Sequence, residues 1–84
     1  MNQDKLSSAI DYFKDGKWSA AADAFFDIKD KLTQPKDIHA CAVAFFKDAR
    51  FSDAQILVEN LISKIPQSPA LFSLLGDVTK AQGD

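Results

Sequence analysis

Tyr12-Phe13-Lys14-Asp15-Gly16-Lys17-Trp18-Ser19-Ala20-Ala21-Ala22-Asp23-Ala24-Phe25 reads as the end of one amphipathic helix, a tight glycine turn and the start of a second helix. Thirty-three residues later the order returns in Phe45-Phe46-Lys47-Asp48-Ala49-Arg50-Phe51-Ser52-Asp53-Ala54. Ala49 then stands at Gly16, Phe51 at Trp18, Ser52 at Ser19 and Ala54 at Ala21. A third, partial copy runs from Leu75-Gly76-Asp77 to Gln82-Gly83-Asp84. Recurrence at this spacing implies stacked helical hairpins rather than one irregular core.

Outward from that stretch, Leu6, Ala9, Ile10 and Phe13 recur at helical spacing and predict a first helix over about 3–15. Gly16 closes it, because glycine reaches left-handed backbone angles without a Cβ clash. Ser19 is the expected cap of the second helix, with Ala21, Ala24, Phe25, Ile28 and Leu32 as its buried stripe. Pro35 suits the first turn of a third helix reaching about Asp48. Ser52 with Gln55 forms a candidate capping box for a fourth, carrying Ala54, Leu57, Val58, Leu61 and Ile62. Ser68-Pro69 opens a fifth by the same device as Gln34-Pro35. Ala9, Ala42 and Gly76, with Ala21 and Ala54, are the small residues at which helices are expected to approach closely.

The 84 residues suffice for one small domain, of a size that buries only roughly 60% of the surface its unfolded chain exposes. Hydrophobic residues at 46% and charged residues at 26% separate the chain from disordered sequences. A formal charge of -2 with interspersed signs disfavours nucleic acid and anionic lipid as partners. The longest apolar run, Ala40 to Phe46, is far short of the ~20 residues of a membrane helix, and 1–5 lacks a signal-peptide core. One cysteine excludes an internal disulfide and makes the reducing cytoplasm the expected setting.

Chemistry is sparse. His39 and Cys41 lie two residues apart on a helix, so they point roughly 200° apart and form no nucleophile–base pair. Cys41 is expected in the core, at the position where Leu75 recurs. Asp23, Asp27 and Asp30 share a helical face but cannot wrap an ion from one straight helix. Gly16-Lys17 lacks the further glycines and the strand of a phosphate loop. No catalytic residue, metal ligand or cofactor site is expected, and the chain is not expected to be an enzyme.

The arrangement resembles the tetratricopeptide repeat family, whose 34-residue unit carries Leu-Gly and Tyr on the first helix, Ala and Phe on the second, and Pro in the linker. Leu75-Gly76 with Gln82-Gly83-Asp84 is the best match. Phe45, Ala54 and Pro66 carry it in the middle repeat, and Tyr12, Gly16, Ala21 and Phe25 in the first. Lys5 and Ser8 depart from the family's large apolar residues. The resemblance implies an all-α fold, two helix-turn-helix hairpins and a fifth helix forming a fragment of a right-handed solenoid. Residues 1–84 are then a single domain: a first repeat over about 2–34, a second over 35–68 and a partial third over 69–84.

It further implies a non-catalytic adaptor or scaffold that holds a peptide or amphipathic helix of a partner protein on a concave surface. Leu6, Ile10, Phe13 and Lys14 would contribute to that surface from the first helix, and Lys36, His39, Val43, Phe46 and Lys47 from the third. Ser73, Asp77 and Lys80 would extend it on the fifth. The family's clamp for a C-terminal carboxylate is not expected, because Leu6, Ile10, Ala40, Ala70 and Leu74 occupy its positions. Two alternatives stand beside the adaptor. One is self-association into a homodimer or stack through Leu71, Leu74 and Val78; the other is a small secretion-type chaperone, to which the chain is similar in size, acidity and helicity.

Overall fold

A computed structural model of the protein describes residues 2–83, with side chains from residue 5 onward. Five helices follow one another: α1 (Asn2–Lys14), α2 (Trp18–Ile28), α3 (Pro35–Lys47), α4 (Phe51–Lys64) and α5 (Pro69–Gly83). A 3-10 turn, Lys29–Lys31, follows α2. The described residues are all-α, each helix packing against its sequence neighbours and α1 also meeting α3.

Both hairpin turns use the same device. Gly16 has φ +76° and Ala49 φ +63°, the left-handed conformation that reverses a chain after a helix. The N–H of Gly16 donates to Phe13 O at 3.1 Å and that of Lys17 to Tyr12 O at 2.9 Å. In the second hairpin Ala49 donates to Phe46 O at 3.1 Å and Arg50 to Phe45 O at 2.8 Å. An aromatic pair then clasps each turn: Phe13 meets Trp18 edge-on at 5.3 Å, and Phe46 meets Phe51 at 5.7 Å. The linkers between hairpins instead end in proline, with Pro35 and Pro69 each opening a helix.

Two sequence expectations at helix starts are corrected. α2 and α4 begin at Trp18 and Phe51, so Ser19 and Ser52 lie inside the first turn and make no side-chain cap. The left-handed turn has already aimed the chain, and its aromatic residue takes the first helical position. Ser52 Oγ bonds Gln82 Oε1 of α5 at 3.4 Å, and Gln55 bonds both Glu59 and Gln82, which ties α4 to α5. The second helix is also shorter than its apolar stripe. After Ile28 the chain tightens into the 3-10 turn and Leu32 is extended, and Gln34 takes the extended backbone that Pro35 imposes on the residue before it. Ala22 is buried in place of the half-buried Ala24.

One core threads all five helices through Ala9, Ala21, Ala22, Phe25, Ile28, Cys41, Ala44, Phe45, Ala54 and Val78. Ile38, Leu61 and Leu71 make a smaller one. Ala9, Ala21, Ala22, Ala42, Ala44 and Ala54 are wholly inaccessible, so helix backbones approach closely while Phe25 and Phe45 fill the volume between them. The radius of gyration, 12.0 Å, is that of a compact chain of this length.

The paired turns give the first prediction. A Cβ at Gly16 meets no atom within 4 Å, so its cost is backbone strain alone. Gly16→Ala should lower stability by about 1 kcal/mol and Ala49→Gly raise it by up to about 1 kcal/mol, since left-handed alanine costs roughly 1–2 kcal/mol and glycine returns part of that as unfolded-state entropy. Urea denaturation of both variants checks the opposite signs; equal signs would overturn the assignment of the turns.

Candidate functional site

Three depressions run in series across α1, α3 and the start of α5. The first, about 210 Å³, is lined by Leu6, Ile28, Lys31, Leu32, Thr33, Gln34 and Asp37. The second, about 400 Å³, lies between Ile10, Phe13 and Lys14 of α1 and Lys36, Asp37 and Ala40 of α3. The third, about 210 Å³, is lined by Lys36, His39, Leu61, Ile65 and Leu71. Asp37 borders the first two and Lys36 the last two, so two charged residues on one turn of α3 stand where successive depressions meet.

Of the residues expected on this face, Leu6, Ile10, Phe13, Lys14, Lys36 and His39 line the series. Val43 is half-buried further along α3. Phe46 and Lys47 are engaged elsewhere: Phe46 clasps Phe51 across the α3–α4 turn, and the Lys47 ammonium sits 5.9 Å from the Trp18 ring. Phe46 is the internal equivalent of Phe13, so the repeat itself signals a hairpin clasp. Several residues at the site were not among those expected there, Ile28, Leu32, Leu61, Ile65 and Leu71 as well as Ala40 and Asp37. Ala40 forms floor, and Asp37 resembles any acidic residue in a first helical turn, with no sequence signal that it would be enclosed.

The self-association strip is corrected. Leu71 is 4% exposed and Val78 inaccessible, both packed inside the chain, and Leu74 is half-buried against the core. The open apolar residue of α5 is Phe72, 52% exposed, with the half-buried Leu75 and the exposed Gly76 beside it. Their equivalents one repeat earlier, Ile38, Cys41 and Ala42, are all buried.

Charge on α2 and the 3-10 turn after it is dispersed. Asp23 pairs with Arg50, Asp27 with Lys5 at 3.4 Å, and Asp30 with Lys29 at 3.6 Å. Among the described residues no three His, Cys, Asp or Glu side chains converge as a metal site. Arg50 also binds Asp48 at 2.9 Å and lies 5.9 Å from the Phe45 ring, fastening the second turn to α2. Its hydrogen bond to Asp23 raises its pKa further above the usual value. Phe26, 49% exposed, meets Phe45 edge-on and lies under the Lys29 ammonium. No helix among the described residues is long and apolar enough to cross a membrane.

Cys41 is wholly buried, and burial pushes its thiol up from 9.0 to about 12, with Lys29 opposing slightly. Between pH 9.0 and about 12 the unfolded chain has therefore lost a proton that the folded chain keeps. The thiol's contribution to stability is complete below pH 9.0 and declines above it, by up to about 1.4 kcal/mol per pH unit. Denaturation at pH 8 and pH 10.5 should show a larger loss for the wild type than for Cys41→Ala; parallel losses would refute the burial effect.

Compared with protein-family models, curated proteins and solved structures, the chain finds no significant match.

Proposed function

We propose that the chain is a tetratricopeptide-like adaptor: two hairpins and a fifth helix stacked as a right-handed solenoid fragment, without catalytic activity, holding a helix or extended segment of a partner protein. The observation that carries this reading is the trough itself. Three depressions in series span helices that belong to three successive repeats, and their walls are mainly apolar. A partner burying its own apolar side chains there gains about 25 cal/mol per Å² before ordering costs are subtracted. The repeated left-handed turns and proline-opened linkers support the stacking, because they give both hairpins one geometry. Exposed Lys14 and Lys36 favour acidic residues flanking the docked segment.

A photo-crosslinking amino acid at Ala40, compared with one at the 64%-exposed Ile56 on α4, tests the adaptor in its native cell. The expected result is a discrete adduct from position 40 alone, reduced at least about tenfold by Lys36→Glu while helical content is unchanged. Adducts only from position 56 would sink the trough as the binding surface.

The open face of α5 favours a second reading, self-association through Phe72 and Leu75. In that reading a second copy covers the residues of α5 whose equivalents on α3 are buried within the chain. Light scattering over a dilution series should then show a mass that rises with concentration and a monomer for Phe72→Glu. A wild-type monomer at every concentration removes this reading.

A further inference from the structure

We infer that Asp37 is a recognition group: its carboxylate receives an arginine or lysine side chain of the docked partner, between acidic residues that meet Lys14 and Lys36. This inference rests on the adaptor reading above and specifies what the trough selects.

Asp37 is 8% exposed, the sole charged residue among the buried side chains described. No cation or side-chain donor meets it among the described residues, whereas Asp23, Asp27, Asp30 and Asp48 each hold one. Its oxygens are nevertheless not sealed off, since no occluded side-chain oxygen in the described residues lacks a partner. Asp37 lines two depressions, the first together with Leu6, Lys31 and Leu32 and the second together with Ile10, Phe13 and Ala40.

The free chain tolerates this carboxylate because it sits in the first turn of α3, where the helix field favours negative charge. Docking changes its position. An apolar segment pressed into either depression strips the remaining water from the carboxylate and leaves a buried charge without a donor, which strongly disfavours the complex. A segment that brings a cation restores the lost hydrogen bonds with charge-assisted ones. Arginine fits better than lysine, because its planar fork can meet both oxygens. Lys14 and Lys36 border the same depression and make no ion pair among the described residues, so they are open to carboxylates on either side of that cation. The trough thus discriminates as much by what it leaves unpaired as by what it attracts.

Panning a random-peptide display library in parallel on the wild type and on Asp37→Asn tests this, with enriched peptides resynthesised and measured by fluorescence anisotropy. Peptides enriched on the wild type should carry a basic residue with acidic neighbours and lose about ten- to a hundredfold in affinity on Asp37→Asn. Replacing the basic residue of the peptide by glutamine should cost the same factor on the wild type and little on Asp37→Asn, a comparison independent of the variant's stability. Enriched peptides that Ala40→Glu displaces but that carry no basic residue and ignore Asp37→Asn overturn the inference and leave the trough standing. Peptides indifferent to both substitutions, or no enrichment, overturn the inference and the trough together.

Discussion

A left-handed residue after a helix, placed once at Gly16 and again at Ala49, is the condition on which the remaining architecture depends. On an uninterrupted helix Phe13 and Trp18 would stand roughly 140° apart and could not touch. The reversal brings them to 5.3 Å, and the same reversal brings Phe46 to Phe51. Once the turn and its clasp are set, α2 can only return along α1, and α4 along α3. That alanine serves at the second turn shows tertiary packing overriding a local preference.

Close return requires small residues, and the inaccessible alanines supply them. Their methyl groups contribute little volume, so the large core side chains Phe25 and Phe45 are left to fill the space between hairpins. Arg50 covers the face of Phe45 and reaches Asp23, so one cation couples the second turn, the core ring and α2. The helices that do not form hairpins with one another, α1 and α3, meet with less interpenetration. The central depression lies between them, which is where a compact array of short helices has room for a guest.

The chemistry of that region is one of contrast. Around it the acidic residues of α2 are paired with neighbouring cations, and the lone thiol is buried and held neutral. Among the described residues Asp37 is the one charged side chain that is buried, and it has no side-chain donor there, beside Lys14 and Lys36. A surface of this kind recognises by desolvation: contacts are favourable only for a partner whose polar groups match those it covers.

Helix number, the two equivalent turns and the core aromatic of each hairpin were legible in the sequence, because they depend on local periodicity and on single residues such as Gly16, Pro35 and Pro69. Cys41 was legible too, through its equivalence to Leu75. Helix starts were misread at Ser19 and Ser52, since capping propensity is local whereas the aromatic clasp is formed across the turn. The enclosure of Leu71 and Val78 and the exposure of Phe72 were decided by which face of α5 packs against the rest of the chain. Periodicity identifies the apolar side of a helix to within about one residue, or roughly 100°. The sequence alone therefore determined which elements form and where the chain reverses; the tertiary structure alone decided which faces close and which carboxylate is enclosed, because both depend on neighbours distant in the chain.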